Sequence, residues 1–137
     1  MNGLLVLLVA AMVLPGCADR APAPAGPGRV TIEELLDDPA GSDGERIRVE
    51  AYLLVSPGSS VLTDRLLESY PPQAGSPSVW VDAPPPAGCL DEGTGVAAGT
   101  SWGTVSATGT FRYEADGGLG HLGEWTMALG DASLSCP

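Results

Sequence analysis

The sequence contains no lysine and few aromatic residues, and its positive charge comes from six arginines against 17 acidic residues. The formal net charge of −11 repels the phosphate backbone of nucleic acids and the headgroups of anionic lipids. A phosphate-binding loop of the Gly-Lys type is excluded because that motif requires a lysine. We therefore expect no nucleic-acid partner and no polybasic docking to a membrane surface.

Histidine is also scarce, with His121 as the single example. Acyl transfer requires a serine or cysteine near a histidine that a carboxylate orients, and no nucleophile motif surrounds any serine here. We assign no catalytic residue. The glycines on both sides of His121 favour a tight turn at a strand entrance, with ligand binding as its second candidate role.

Metal-binding patterns are absent from the acidic loops. Asp91 and Glu92 beside glycines, and Asp116 in a glycine-rich turn, lack the alternating acidic spacing of a calcium loop. Solvated loop charges explain these residues more simply. The sequence predicts neither a metal ion nor a cofactor.

The chain has a single long apolar run, from Leu4 to Leu14, which is too short for the ~20 residues of a membrane-spanning helix. Its length fits the hydrophobic region of a secretory signal, although no basic residue precedes it. The run ends in Leu14-Pro15-Gly16-Cys17, which resembles the lipobox of bacterial lipoproteins. This resemblance implies diacylglyceryl attachment to the Cys17 sulfur, cleavage before Cys17 and acylation of its new amino group.

The lipobox resemblance sets the expected organisation of the chain. Residues 1–16 are the predicted signal peptide, residues 17–29 the lipid anchor with an Ala/Pro-rich tether, and residues 30–137 one folded domain. The expected location is the bacterial cell envelope, held to the membrane through Cys17. In a cell with two membranes this is the periplasmic face of the outer membrane; otherwise it is the outer face of the cytoplasmic membrane.

Three cysteines are present, and the lipobox accounts for one. Cys89 and Cys136 are then the pair available for a disulfide in an oxidising compartment. Two free thiols are the alternative. A metal site is disfavoured because neither cysteine has a second cysteine or a histidine at ligand spacing.

The periodicity of the remaining chain predicts one short helix followed by about five short strands. Thr31 and Glu34 match a capping box at the start of the helix. Gly109, in the middle of an alternating segment, predicts a bulge in a curved sheet. We predict a mainly-β fold, namely a small OB-like five-stranded barrel preceded by one short N-terminal helix. The predicted strands cover residues 45–55, 61–62, 79–81, 104–113 and 125–129, residues 132–136 are expected to be a strand end tied back to Cys89, and residues 83–103 are predicted to be a loop.

The order of these segments also resembles a group of small exported bacterial proteins with an OB-like barrel, mostly of unknown function. The resemblance is carried by residues 34–53, by Gly109-Thr110-Phe111 and by residues 120–123. It departs from the usual OB-fold, which has a helix between its third and fourth strands where residues 83–103 are rich in proline and glycine. A likeness of fold implies no nucleic-acid function for so acidic a chain.

Trp80, Trp102 and Trp125 are the largest apolar side chains, and core packing is their expected role. Trp102 is the candidate for an outward-facing binding residue, since it lies where the 83–103 loop meets a strand. Together with His121 it forms the predicted binding set.

The function expected from these features is non-catalytic binding by an envelope lipoprotein, with an envelope protein as a candidate partner. One alternative is a small-ligand or calcium-binding module that uses the acidic loops. A second is an envelope glycan hydrolase, which requires two carboxylates that converge in a cleft.

Overall fold

The computed structural model describes residues 26–137. The predicted signal peptide, Cys17 and the tether up to residue 25 lie outside the described residues. Within the described part of the chain, no helix has the length and apolar character needed to cross a bilayer.

A short helix, α1 (Ile32–Asp37), opens the fold and begins with the predicted capping box. The Thr31 amide donates to Glu34 Oε2 at 2.8 Å, and the Glu34 amide donates to Thr31 Oγ1 at 3.1 Å. Two free amides of the first turn are thereby satisfied. Ile32 and Leu35 are buried and join the core of the sheet, so the helix closes one end of it.

Within residues 26–137, nine strands form the rest of the fold, and five of them build a barrel. The barrel strands are β2 (Arg46–Ser56), β3 (Ser59–Thr63), β6 (Val79–Val81), β8 (Ser101–Tyr113) and β9 (Met127–Ser135). The other four have two residues each: β1 (Gly28–Arg29), β4 (Leu66–Leu67), β5 (Gln73–Ala74) and β7 (Asp91–Glu92). Short 3₁₀ turns cover Pro39–Ser42, Gly95–Ala97 and His121–Gly123.

The barrel is closed, because β2 pairs with both β3 and β8. From β2 the order runs through β3, β6, β9 and β8 and returns to β2. All these pairs are antiparallel except β6 with β9, which are parallel. This connectivity is that of an OB-like barrel. The predicted fold class is confirmed, including the single short helix before the barrel.

The core consists of the inward-facing residues that alternate along each of the five barrel strands, and Leu53, Val105 and Phe111 are fully buried. Gly109 interrupts the ladder between β8 and β9, where the register shifts between Thr108 and Thr110. A Cβ at position 109 would lie 2.7 Å from the carbonyl oxygen of Gly130, so the bend admits only glycine without local rearrangement. The predicted bulge is confirmed.

Several boundaries differ from those predicted. β9 runs without a break to Ser135 and so joins the predicted strand 125–129 to the predicted strand end 132–136; Asp131, between them, has a positive φ of 46°. The predicted loop 83–103 contains β7 and the beginning of β8. The parallel pairing of β1 with β2 attaches the last two residues of the predicted tether to the sheet.

Cys89 and Cys136 are bonded in the structure, with their Cα atoms 5.7 Å apart. This separation is common for disulfides. The bond ties the segment before β7 to the end of β9, so it fastens the 83–100 region against the barrel.

Candidate functional site

Trp80 is the residue from which the candidate site is built. Its neighbours Val79 and Val81 are both in the core cluster. Since side chains alternate along a strand, Trp80 faces away from the core. The register aligns it with other outward-facing residues on the neighbouring strands, giving an outer row of Trp102, Leu54, Val61, Trp80 and Ala128.

The expectation that the tryptophans pack in the core is wrong. Trp80, Trp102 and Trp125 are all half-buried, and none belongs to the core cluster. The interior of so small a barrel is filled by Phe111 and aliphatic side chains. The indole rings lie on the outside, where they are available for contacts.

A cleft of about 520 Å³ opens beside Trp80 on the outer surface. The β2–β3 turn contributes Gly58, the end of β6 contributes Asp82, and residues 114–126 between β8 and β9 contribute Gly120 and His121. Three separate segments of the barrel therefore meet at one cleft.

Two rings of the 114–126 loop pack against Trp80. The imidazole of His121 is nearly parallel to the indole, with an interplanar angle of 20° and centroids 6.4 Å apart. The Trp125 indole is tilted by 41°, with its centroid at 5.7 Å. A bridge between Leu119 and Trp125 holds the loop closed on itself. We call Trp80, His121 and Trp125 the aromatic cluster.

Gly120 sets the geometry of the aromatic cluster. Its backbone is left-handed, with φ 71°. A Cβ at this position would overlap the Trp125 ring and would lie 2.9 Å from Cδ2 of Trp80. The loop backbone therefore packs directly onto both indoles, which holds the rings in place before any ligand arrives.

Leu122 follows at the tip of the same loop. It is 78% exposed and adopts φ 64°, a conformation that a leucine seldom takes. Backbone in such sparsely populated conformations clusters at active sites and ligand clamps. Leu122 adds an apolar projection beside His121.

Trp102 lies at the other end of the outer row and is partly covered by the protein's own chain. Tyr70 packs edge-on against it, with ring centroids 6.3 Å apart and an interplanar angle of 87°. Residues 64–78, which carry Tyr70, therefore cross the outer face of β2 between β3 and β8. Leu54 and Val61 face outward beneath this crossing and are buried. We call residues 64–78 the crossing loop.

The two residues predicted for binding thus have different surroundings. His121 lies in the 3₁₀ turn His121–Gly123, as its flanking glycines predicted, and it also lines the cleft; its role in ligand binding stays a prediction. Trp102 does not line it and instead supports the crossing loop.

A second cleft, of about 460 Å³, lies between the start of α1 and strands β2 and β3. It brings together Glu33, Glu50 and Asp64, as a hydrolase with paired carboxylates would require. However, Arg29 lies 3.6 Å from Glu50, whose side chain is 56% exposed. A general acid needs a carboxyl group shielded from water. Glu33 and Glu50 are exposed, and Asp64, whose side chain is 24% exposed, lies 3.5 Å from Arg65 Nη1.

The acidic loop residues considered for calcium belong to different elements, with Asp91 and Glu92 in β7 and Asp116 between β8 and β9. Asp91 and Glu92 pair as β7 with the start of β8, and both are exposed. Among the described residues, no three side chains of His, Cys, Asp or Glu are grouped so that they could hold a metal ion.

Sequence reasoning missed three of the residues in or beside the cleft, namely Trp80, Asp82 and Trp125. A signal for Trp80 was present, because a tryptophan between two valines in a short strand indicates an outward-facing ring. The approach of Trp125 to Trp80 had no local signal, since it depends on the distant parallel pairing of β6 and β9.

Comparisons with known proteins found no match: no family model matches the chain, and neither the curated proteins nor the solved structures contain a similar one.

Proposed function

We propose that this protein is a bacterial cell-envelope lipoprotein that acts by non-catalytic binding. Cys17 carries the lipid, and the barrel binds an envelope partner through the cleft at the aromatic cluster. The single observation that carries the binding role is the position of this cleft on the barrel.

OB-like barrels bind ligands on the face of their second and third strands, between the loops that follow the first and fourth strands. Here Gly58 belongs to the loop after the first barrel strand, Trp80 to the third strand, and His121 to the loop after the fourth. The aromatic cluster therefore occupies the place where barrels of this type meet their ligands.

The exposed apolar tip favours a protein as the partner. Tryptophan is among the residues that contribute most to protein interfaces. Leu122 lies next in sequence to His121 and is 78% exposed, so a partner that covers the cleft would also bury it. Burying one leucine side chain stabilises a complex by about 2 kcal/mol before the cost of ordering is counted.

The lipid anchor is tested by Cys17→Ser. The unchanged protein should partition into the detergent phase, whereas the variant should remain uncleaved or appear in the aqueous phase. Unchanged partitioning of Cys17→Ser would refute the lipobox interpretation. A disulfide variant, Cys89→Ser with Cys136→Ser, is the control and should still partition with detergent.

The binding face is tested by site-specific photo-crosslinking in intact cells. A benzophenone amino acid at Leu122 should give a discrete adduct. The matched position is Val96, an aliphatic residue of similar exposure (82%) in the 3₁₀ turn Gly95–Ala97. Adducts of equal yield from both positions, or none from position 122, would contradict the proposed binding face.

A further inference from the structure

We propose that the cleft at Trp80 and His121 receives the guanidinium group of an arginine side chain on a partner protein. This inference rests on the proposed function, because it names the chemistry that the binding face recognises.

The charge around the cleft favours a cation. Asp82 lines the cleft, is exposed and takes part in none of the ion pairs formed within residues 26–137. The 114–126 loop adds Glu114, Asp116 and Glu124, all exposed, and carries no arginine. An anionic ligand would be repelled by this arrangement, whereas a cation would be attracted.

Arg112 is the arginine that the strand register brings toward the cleft. It pairs with Ala128, the neighbour of Trp80, and so lies two inter-strand spacings away, roughly 10 Å. Its Nε is 3.9 Å from Asp43 Oδ1, on the side of the barrel near α1. The Arg112 charge is therefore directed away from Asp82 and leaves the cleft acidic.

The rings favour a planar cation over a compact one. A guanidinium stacks on aromatic faces and donates paired hydrogen bonds to a carboxylate, while an ammonium lacks the plane. Trp80 and His121 offer two nearly parallel rings, and Asp82 lines the same cleft as an acceptor. Aromatic contact and carboxylate together match the two recognition modes of arginine.

Leu122 distinguishes a polypeptide from a free small cation. A free guanidinium compound in the cleft would leave this exposed side chain in water. An arginine within a polypeptide brings neighbouring residues that can cover it. The combination of an apolar projection and an acidic aromatic cleft therefore fits a protein segment that carries an arginine.

The test is an NMR titration of the full-length protein in detergent micelles, followed through its three indole N–H signals. The probe is the peptide acetyl-Gly-Arg-Gly-amide, and its neutral twin has citrulline in place of arginine. The Trp80 and Trp125 signals should shift saturably while the Trp102 signal stays in place. The citrulline twin should bind at least about tenfold more weakly, since hydrogen bonds to a charged group contribute about 1.5–3 kcal/mol.

Two variants separate recognition by the cleft from general attraction to an acidic protein. Asp82→Asn should lower the affinity for the arginine peptide by about tenfold or more. Asp91→Asn makes the same change of net charge on β7 and should leave the affinity unchanged. Equal losses in both variants would overturn the inference, as would equal affinity for the citrulline twin.

A neutral saccharide, chitotriose, completes the titration. If chitotriose shifts the Trp80 signal and the arginine peptide does not, the cleft binds a ligand of another class; the inference fails and the binding role remains. If the arginine peptide gives no shift up to about 10 mM, any binding free energy more favourable than about −2.7 kcal/mol is excluded and the inference fails. The crosslinking at Leu122 then decides separately whether the binding face stands.

Discussion

The hydroxyl group of Tyr70 is bound to the backbone of Thr94 through both of its hydrogen-bonding functions. It donates to the Thr94 carbonyl oxygen at 3.0 Å and accepts the Thr94 amide at 2.9 Å. The Thr94 hydroxyl lies 3.2 Å away. Because Tyr70 is in the crossing loop and Thr94 precedes the 3₁₀ turn Gly95–Ala97, this contact fastens one surface loop to another.

Tyr70→Phe should loosen the crossing loop while keeping the ring against Trp102. We expect faster amide hydrogen exchange across residues 64–78 and at Thr94, because the bonds that close the loop are lost. Hydrogen exchange read by mass spectrometry checks this. Tyr52→Phe is the matched control, since Tyr52 is also exposed and makes no side-chain hydrogen bond within residues 26–137. If both variants exchange alike, the contact does not hold the loop.

The same contact should lower the pH at which Tyr70 ionises. Hydrogen bonds from the Thr94 side chain and backbone lower the pKa of Tyr70 below its ordinary value of 10.0. Absorbance titration of the phenolate should show a transition below pH 10.0 that is absent from Tyr70→Phe. Thr94→Val removes the hydroxyl contribution and should move that transition back toward 10.0.

The shift also has a definite sign for stability. A folded-state pKa below the unfolded value stabilises the fold above the unfolded pKa, and this contribution is lost as the pH falls through the folded pKa. Tyr70→Phe should therefore reduce the free energy of unfolding more above pH 10.0 than at neutral pH. A loss that is the same at both pH values would contradict the lowered pKa.

Thr31→Ala should destabilise the fold by about 1 kcal/mol, the usual cost of removing a helix N-cap. The variant loses the hydrogen bond from the Glu34 amide to the Thr31 hydroxyl and keeps only the other half of the capping box, from the residue 31 amide to the Glu34 carboxylate. Urea unfolding measures the change. Thr31→Ser keeps the hydroxyl group and should stay close to the unchanged protein; an equal loss in both variants would show that the cap contributes nothing.

Gly120→Ala should displace the aromatic cluster, because its methyl group would overlap the Trp125 ring. Near-ultraviolet circular dichroism, which reports the packing of the indoles, should lose intensity. Gly118→Ala is the control, since Gly118 also has positive φ (109°) but nothing lies within 4 Å of its added Cβ. Equal spectral changes in the two variants would indicate backbone strain rather than ring contact.

The elements that the sequence predicted well are those with local signals. The capping box of Thr31 and Glu34, the alternation along β2 and the isolated Gly109 each depend on neighbouring residues alone. The continuity of β9 was missed: residues 125–129 and 132–136 were predicted as separate pieces because Gly130 and Asp131 are typical of turns, whereas pairing with β8 joins them into one strand. Propensity gives way to pairing at such positions.

The candidate site was predicted only in part, because its local features have sequence signals and its long-range contacts do not. The glycines beside His121 predicted a tight turn, which the structure shows as the 3₁₀ turn His121–Gly123, and the residue also lines the cleft. Its contact with Trp80 depends on closure of the barrel, which brings β6 beside β9. Trp102 was selected for its place at a loop–strand junction, and the crossing loop that covers it comes from a distant part of the chain.

The disulfide closes a large covalent loop that includes part of the candidate site. Cys89 and Cys136 close a covalent ring around β7, β8, β9 and the 114–126 loop, so the aromatic cluster gains two of its three rings from inside it. Exposed loop tips such as Leu122 are where proteases cut first. A protease that severs the chain there leaves both pieces bonded, so the nicked protein migrates as one species until a reductant is added. Proteolysis at this tip would then open the 114–126 loop without releasing any part of the barrel.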